Sequence, residues 1–263
     1  MNEHHSPKYP ITTVNRCKCV ILAAGASTRL RPLTDSIPKC LLTIGGKTLL
    51  ERAIENVTAV EIKEIALVVG YRAEMIREFV KRRFPQMKFR IILNPNYAST
   101  NNAYSLFLAR RFLLEDHGRV SHRLLLLDSD ILFSNKLLPY VLSAAAENKI
   151  AVRRSGEHNE EEVQVDSRPG GNIYFIGKRL TLNPQSSESI GIELFSEKTV
   201  ERLFAILEEH VRSGIGRSEF YEAAFQEMID RGDSVMAVDV SVFPAMEIDT
   251  KEDFEQAQQL LLM

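Results

Sequence analysis

The hydrophobic residues in the first half of the chain follow two alternating patterns. Short continuous apolar runs predict strands at Cys17–Leu22, Ile65–Val69, Phe89–Leu93 and Arg123–Leu127. Apolar residues at helical spacing predict helices over Leu49–Val60, Glu74–Phe84, Tyr104–Leu114 and Lys136–Glu147. Strands that alternate with helices favour a parallel sheet with helices on both faces, and uninterrupted apolar runs fit strands that are covered on both sides.

The pattern changes after Ile150. Turn signals such as Pro169–Gly171 separate short strand-like pieces, so we expect residues 151–192 to form a small antiparallel β insert beside the main sheet. The remaining predictions are helices over Glu197–Arg212, Glu219–Arg231 and Lys251–Leu262 and a strand over Val235–Val240. The sequence therefore predicts an α/β protein with three layers, α/β/α, around a mostly parallel mixed sheet. We expect a single domain over 16–263 after a flexible polar tail over 1–15.

Composition and charge argue against several classes of protein. The chain has 33 Lys and Arg against 35 Asp and Glu, a net charge of −2, so it has no general field to attract nucleic acid or an anionic membrane. No apolar run approaches the roughly 18 residues of a membrane helix, and we expect no membrane insertion. Cys17, Cys19 and Cys40 form neither a disulfide framework nor a zinc pattern, which favours reduced thiols in the cytoplasm.

A loop rich in small and cationic residues follows the first predicted strand, in the sequence VILAAGASTRLRPLTDSIPKCLL from Val20 to Leu42. Small side chains at Ala23–Gly25 let backbone N–H groups approach an anion, and Gly25 can adopt a positive φ angle. Hydroxyl and cationic groups follow at Ser27, Thr28, Arg29, Arg31 and Lys39. The residues alone leave two interpretations open: a cradle for a triphosphate, or an exposed connection with solvated charges.

The same loop resembles the signature L-A-A-G-x-x-[ST]-R-[LM]…P-K of the nucleotidyltransferase superfamily, with fixed spacing from Ala23 to Lys39. The resemblance implies a Rossmann-like fold and an enzyme that joins a nucleoside triphosphate to a phosphate-bearing metabolite and releases pyrophosphate. It implies that Arg29 holds the β- and γ-phosphates and that Lys39 bridges the α-phosphate and the acceptor. The nucleotide would lie along Leu22, Ala23, Ala24, Gly25, Ser27 and Thr28.

Two acidic clusters in the sequence are candidates for a metal site. Asp128 and Asp130 end a predicted apolar strand, where buried carboxylates are costly unless a cation compensates them. Glu247 and Asp249 precede the last predicted helix. By the resemblance, Asp130 and Asp249 together hold Mg²⁺. Asp128 is assigned to the nucleotide, through the ribose or through an outer-shell water.

The segment NPNYASTNNAYSLFLA, Asn94–Ala109, resembles one branch of the superfamily, the bacterial phosphocholine cytidylyltransferases and their phosphonate-activating relatives. Ser189–Ile192 and Glu247–Thr250 match later strings of that branch, so the resemblance covers most of the chain. It implies CTP as the favoured nucleotide, a small phosphorylated or phosphonate acceptor, and nucleotide contacts from Thr100 and Asn102.

Acidic and aromatic side chains are the candidates for holding the acceptor. The chain has no Trp to build an aromatic cage for a quaternary ammonium, whereas carboxylates suit a cationic acceptor with an amine. Glu219 and Glu222 are predicted on one helical face at i, i+3 spacing, and Glu193 is predicted to be a solvated carboxylate. Because Gln164 stands where relatives often carry a lysine, Lys178 is the candidate cation for the acceptor phosphate. The acceptor-binding set is Tyr104, Lys178, Glu188, Glu219 and Glu222.

Three other functions remain open at this point. A sugar-1-phosphate or inositol-1-phosphate acceptor would keep the chemistry and change the substrate. A glycosyltransferase would use Asp128-Ser129-Asp130 to bind a nucleotide-sugar, but it leaves Arg29 and Lys39 without a role. A non-catalytic regulatory domain of the same fold has no use for the complete set of charged positions. The sequence carries no signal of oligomeric state.

Overall fold

The structure is a computed structural model that describes residues 16–114, 119–154, 162–179, 183 and 186–260. The predicted tail over 1–15 and parts of the predicted insert lie outside these residues. The strands, β1 to β13 in chain order, are Cys17–Ala23, Thr43–Ile44, Lys47–Thr48, Glu64–Val69, Phe89–Leu93, Arg123–Asp128, Ile131–Phe133, Lys149–Arg154, Gln164–Ser167, Ile173–Gly177, Ser187–Phe195, Met236–Asp239 and Ala245–Glu247. The helices, α1 to α8, are Leu49–Ala59, Ala73–Arg83, Asn102–Leu108, Arg110–Leu113, Leu137–Ser143, Glu197–Ser213, Tyr221–Asp230 and Lys251–Leu260.

Nine of the described strands form one mixed sheet. Its order is β10-β9-β11-β6-β1-β4-β5, with β8 paired to β11 and β12 paired to β8. β6, β1, β4 and β5 are parallel to one another, whereas β11 runs antiparallel to both β6 and β8. β9 and β10 add an antiparallel pair beside β11, in the region where the insert is predicted. The predicted α/β class with a mixed central sheet is confirmed.

Side chains from alternate positions of the central strands pack on opposite faces of the sheet, as the pleat requires. On β1, Cys19 and Ile21 join an apolar cluster with α1, α2 and α5. Val20 and Leu22 join a second cluster with α3, α6 and α7 on the other face. Helices therefore cover both faces, which is why the strand sequences are apolar throughout.

In a third apolar cluster, the loop after β1 packs against the segment before α8 and against α8 itself. Leu30 and Leu42 of this loop pack with Ile248 and with Ala257 of α8. The loop therefore has a fixed place beside the segment that leads from β13 into α8.

Some helix boundaries differ from the predictions. The predicted helix Tyr104–Leu114 begins earlier, at Asn102, because the side chain of Asn101 accepts a hydrogen bond from the Asn102 N–H, and it is divided at Ala109 into α3 and α4. The predicted helix Lys136–Glu147 ends already at Ser143 as α5. The buried ammonium of Lys149 donates to two carbonyls in the last turn of α5, which ends the helix.

Two further observations concern membrane-spanning helices and the cysteines. Within the part of the chain that the structure describes, no helix is long and apolar enough to cross a bilayer. Cys17, Cys19 and Cys40 are buried and free. Burial raises the pKa of the Cys17 and Cys40 thiols to about 12, so these groups stay protonated and unreactive at neutral pH.

Candidate active site

The ammonium of Lys39 joins two carboxylates that reach it from different parts of the chain. Its Nζ atom lies 2.6 Å from Oδ2 of Asp130 and 2.6 Å from Oδ1 of Asp249. Arg29 extends the cluster, because its Nη2 atom donates to Oδ2 of Asp249 at 2.9 Å. Lys39 is only 8% exposed, so its charged contacts are largely shielded from water. The four charged residues that the sequence predicted for catalysis and metal binding lie in one group, which we call the Lys39 cluster.

Local structure explains why these side chains meet. Lys39 begins a single 3-10 turn, and Asp130 lies in the turn between β6 and β7. β13 pairs antiparallel with β7, and the N–H of Ile248 donates to the carbonyl of Asp130 at 3.0 Å, which brings Asp249 close to Asp130. The carboxylate of Asp253 then accepts from the N–H of Asp249 at 3.0 Å and fixes the entry into α8.

Mutual attraction keeps the Lys39 cluster charged. Burial alone would lower the pKa of Lys39, but Asp130 and Asp249 raise it above its usual value. Burial alone would raise the pKa of the Asp249 carboxyl, but Lys39 and then Arg29 hold it below its usual value. At neutral pH the cluster therefore offers fixed cations beside carboxylates at the edge where the parallel strands end.

A cavity of about 190 Å³ lies at the carboxyl ends of β1 and β6, and we call it the small cavity. Lys39 and Asp130 line it. Eight of the nine residues predicted to contact the nucleotide also line it, namely Leu22, Ala23, Ala24, Gly25, Ser27, Thr100, Asn102 and Asp128. The ninth, Thr28, is exposed and lies outside the described lining. Sequence reasoning missed Asn94, Tyr97, Asn101 and Ser105, whose signal was their place in the amide-rich segment before α3.

The loop after β1 bends at a different residue from the expected one. Ser27, not Gly25, adopts the left-handed conformation, with a φ of 47°. The hydroxyl of Thr34 donates to the carbonyl of Ser27 at 2.8 Å and stabilises this costly turn. A Cβ at Gly25 would meet no heavy atom within 4 Å, so the small cavity is open above it.

The amide-rich segment before α3 is partly scaffold. The backbone N–H of Asn101 donates to the carbonyl of Arg217 at 2.7 Å. Oδ1 of Asn102 accepts from the backbone N–H of Tyr221 at 2.8 Å, which leaves its amide nitrogen as the donor for a ligand. Thr100 donates to the carbonyl of Asn96. The contacts of Asn101 and Asn102 join the lining of the small cavity to residues at and just before the start of α7.

A second cavity, of about 1390 Å³, borders the same cluster, and we call it the large cavity. Near the cluster its described lining includes Arg29, Arg153, Glu188, Ser189, Glu247 and Asp249. Arg153 donates to Oε2 of the buried Glu188 through Nε at 3.0 Å and through Nη2 at 2.6 Å. Because Lys39 lines the small cavity and Asp249 lines the large one, their contact stands between two spaces that can each hold a ligand.

Glu247 lines the large cavity close to several other carboxylates. Burial, and then repulsion by Asp130, Asp128 and Asp249, raise the pKa of Glu247 well above its usual value. A cation placed here would relieve that repulsion. The position of Glu247 is therefore suited to a positively charged ligand group or a metal ion.

The residues present fit a hydrated divalent cation that is shared with a substrate. Among the described residues, no three His, Cys, Asp or Glu side chains are grouped to hold a metal by themselves. Mg²⁺ is commonly bound by one or two carboxylates together with substrate phosphates and water. Asp130 and Asp249 face a single ammonium from two sides, which is the donor set that such an ion requires.

The prediction that Glu219 and Glu222 share one helical face is wrong. α7 begins at Tyr221, and Glu219 precedes it. Oε2 of Glu219 instead lies 3.0 Å from Nδ1 of His210 on α6. Helical periodicity extended the helix too far, because the residues before Tyr221 belong to the connection that contacts α3.

The other acceptor candidates lie apart from one another. Glu188 belongs to the described lining of the large cavity. The other four acceptor candidates lie outside the described lining of both cavities, namely Tyr104, Lys178, Glu219 and Glu222. Glu222 is buried, and burial raises its pKa to about 7 although the charge of Lys178 opposes this. The Nζ atom of Lys178 lies 4.6 Å from the ring centroid of Phe220, and its charge also acts on Asp249. Lys178 is thus near enough to influence both α7 and the Lys39 cluster.

Glu193 contradicts the expectation of a solvated carboxylate. It lies on β11 with 0% exposure. Burial, followed by the charges of Asp128 and Glu222, raises its pKa well above the usual range. The signal in the sequence was its place inside an apolar run, SIGIELF, where both strand faces are buried.

The family model described as "Nucleotidyl transferase" matches residues 18–163. A CMP-5'-(3-aminopropyl)phosphonate synthase of Streptomyces rubellomurinus is 27% identical over 262 residues, which cover 98% of this chain and 40% of that protein. The chain therefore spans less than half the length of this relative.

Two further similarities cover nearly the whole of both proteins. A choline-phosphate cytidylyltransferase of Streptococcus pneumoniae is 26% identical, over 93% of this chain and 98% of that protein. The solved structure of a CTP:phosphocholine cytidylyltransferase from Streptococcus pneumoniae superimposes with a TM-score of 0.75 at 23% identity, covering 94% of this chain and 99% of the other. The likeness of the structures supports the Rossmann-like fold.

Proposed function

The chain belongs to the nucleotidyl transferase family, and from this premise we propose that it transfers CMP from CTP to a small amine-bearing phosphate or phosphonate and releases pyrophosphate. The observation that carries the proposal is the contact of Lys39 with Asp130 and Asp249 at the border of two cavities. The reaction brings two anions together, so catalysis rests mainly on positioning and charge neutralisation. A buried ammonium between two binding spaces meets that requirement.

Lys39 and Arg29 are the proposed catalytic cations. An oxygen of the acceptor attacks the α-phosphorus of CTP, and the bond from this phosphorus to the bridging oxygen of pyrophosphate breaks. Lys39 offsets the repulsion between the α-phosphate and the attacking oxygen, and Arg29 stabilises the departing pyrophosphate. Both cations exchange contacts with Asp249 for contacts with phosphate oxygens, which keeps each of them paired with an anion.

The nucleotide is proposed to occupy the small cavity. Ala23, Ala24 and Gly25 line it with no side chain larger than a methyl group, so a phosphate can approach their backbone, and Ser27 and Asn102 offer donors. Asp130 and Asp249 would hold Mg²⁺ beside the triphosphate. Bound there, the ion supplies positive charge that offsets the charge of the α-phosphate and the leaving group.

The acceptor is proposed to enter through the large cavity. Glu247 and the ion pair of Glu188 with Arg153 lie at its end near the Lys39 cluster, and the charge of Lys178 acts on Asp249 there. Carboxylates attract an amine while the cations attract the phosphorus group, so a zwitterionic acceptor satisfies both. The relatives support this class, because one is named for an aminopropylphosphonate and the other for choline phosphate.

The proposed partners are therefore CTP and a small acceptor, with no nucleic acid or membrane surface. We place the reaction in the cytoplasm, where the three free cysteines remain reduced. The net charge of −2 agrees with a protein that captures anions at one local site.

Pyrophosphate release in the presence of Mg²⁺ tests the proposal. CTP, UTP, GTP and ATP are each combined with phosphocholine, 2-aminoethylphosphonate, inositol-1-phosphate and glucose-1-phosphate. We expect release with CTP and an amine-bearing acceptor. Release confined to a sugar or inositol phosphate would overturn the proposed acceptor, and release with another nucleotide would overturn the choice of CTP. Nucleotide binding without release for any acceptor would favour a regulatory domain.

A further inference from the structure

Tyr221 makes two polar contacts that both lead to the small cavity. Its hydroxyl donates to Oδ2 of Asp128 at 2.7 Å, and its backbone N–H donates to Oδ1 of Asn102 at 2.8 Å. Asp128 and Asn102 both line that cavity, whereas Tyr221 itself is 1% exposed and lies outside the described lining. The ring of Tyr221 packs on Phe225 with the centroids 4.9 Å apart, so the side chain is held rigidly.

The carboxylate of Asp128 needs such an anchor, because its surroundings repel it. Burial removes the water that would solvate it, the negative charges of Asp130 and Glu222 repel it, and the charge of Lys39 attracts it. The backbone of Gly191 closes one side, since a Cβ there would lie 2.8 Å from Oδ2 of Asp128. Asp128 also lines the small cavity, and the triphosphate that we propose to bind there is itself an anion.

We propose that Tyr221 is a positioning residue of the transferase site, which holds the carboxylate of Asp128 away from the space of the triphosphate. This inference rests on the proposed function, because it requires a nucleotide in the small cavity. The hydroxyl of Tyr221 keeps Oδ2 engaged at the wall, so Asp128 adds little repulsion to the bound anion. Removal of this hydroxyl frees the carboxylate to turn toward the phosphates.

Tyr221 also links the start of α7 to the small cavity. It is the first residue of α7, and the buried Glu222, which lies outside the described lining of both cavities, follows it directly. The contact of its N–H with Asn102 fixes where α7 begins relative to α3. A single residue thus sets the place of Asp128 through its side chain and the place of Glu222 through its backbone.

The experiment is a double-mutant cycle on CTP binding, measured by calorimetry with Mg²⁺ for the wild-type chain, Tyr221→Phe, Asp128→Asn and the double variant. Phenylalanine keeps the ring packing and removes only the hydroxyl. We expect Tyr221→Phe to weaken CTP binding about tenfold, the usual effect of losing a hydrogen bond to a charged group. In the Asp128→Asn background the same substitution should change binding less than about twofold, since no charge remains to be held.

Two further measurements separate positioning from a general loss of structure. Pyrophosphate release should show a raised KM for CTP with kcat changed less than about threefold, because the Lys39 cluster is untouched. The matched control is Tyr140→Phe, an exposed tyrosine that packs on Phe243, which should leave CTP binding unchanged.

Equal weakening by Tyr221→Phe with and without Asp128→Asn would overturn the inference, and so would unchanged binding in Tyr221→Phe. A wild-type chain that binds none of the four nucleoside triphosphates would overturn the proposed function, and the inference with it. If another nucleotide binds instead of CTP, the cycle is measured with that nucleotide, and the same two outcomes decide.

Discussion

Lys39 and Asp249 are separated by 210 positions in the sequence, yet Nζ of one lies 2.6 Å from Oδ1 of the other. The contact joins the loop after the first strand to the segment before the last described helix. It also raises the pKa of the lysine and lowers that of the carboxyl, so both remain charged at neutral pH. Chemistry that requires a fixed positive charge between two anions is the natural use of this pair.

Loss of the Lys39 ammonium should abolish most of the activity. Lys39→Ala removes the only charge that contacts both Asp130 and Asp249 among the described residues, so turnover should fall about 10²- to 10⁴-fold. Steady-state pyrophosphate release measures it. The control is Lys63→Ala, whose side chain is 81% exposed, and its rate should equal that of the wild type. A Lys39→Ala enzyme with wild-type turnover would remove the lysine from the mechanism.

Asp249→Asn should change the metal requirement as well as the rate. The substitution leaves one carboxylate of the proposed pair, so the Mg²⁺ concentration for half-maximal activity should rise about tenfold or more. A chelator should stop the wild-type reaction, and added Mg²⁺ should restore it. Titration of activity against Mg²⁺ measures both effects. Identical metal curves for the variant and the wild type would place the ion elsewhere.

Gly191→Ala should damage the site through Asp128. Gly191 has a φ of 65°, and a Cβ there would lie 2.8 Å from Oδ2 of Asp128. The matched control is Gly170→Ala, which has a φ of 97° but meets no atom within 4 Å, so it carries backbone strain alone. We expect CTP affinity to fall for Gly191→Ala and to stay unchanged for Gly170→Ala. Equal affinities would show that the carboxylate moves aside without consequence.

Deprotonation of Glu222 should lower the free energy of unfolding as the pH rises. Burial raises its pKa from 4.5 to about 7 in the folded chain, so the folded state binds the proton more tightly than the unfolded state. The stabilisation is complete below about pH 4.5 and is lost as the pH rises through about 7, with a total of about 3 kcal/mol.

The measurement is urea unfolding of the wild type and Glu222→Gln at about pH 5 and at about pH 8. The glutamine variant lacks this titration, so its stability relative to the wild type should increase between the two pH values. A constant difference would mean that Glu222 titrates normally in the folded chain.

The family resemblance predicted the members of the Lys39 cluster, and three of them stand next to a strongly patterned segment. Lys39 follows an apolar strand and a Pro-stiffened loop, Asp130 follows the run LLLL, and Asp249 stands before a helix with a clear cap. Strand ends in a parallel sheet share one edge, so charged residues at those ends converge. The family resemblance supplied the pairing between the first loop and the last helix, which local pattern does not contain.

The contacts of Tyr221, Glu219 and Glu193 could not be predicted in this way. Helical periodicity does not show that the start of α7 is set by the side chain of Asn102, a contact between residues 119 positions apart. Glu193 is predicted to be one of the glutamates of a solvated helix face, whereas it lies on β11, which is buried on both faces. Such errors fall where tertiary contacts override local preference, and here they concentrate on the acceptor side of the site.

The central claim is transfer from CTP to an acceptor whose amine is held by carboxylates. The most direct measurement compares pyrophosphate release from CTP with 2-aminoethylphosphonate and with ethylphosphonate, which lacks the amine. Phosphocholine is then compared with ethylphosphonate in the same way. We predict release with an amine-bearing acceptor, at least about tenfold greater in kcat/KM than with ethylphosphonate, because one desolvated charge pair contributes that much or more. No release with either amine-bearing acceptor, or equal rates with and without the amine, would contradict the account.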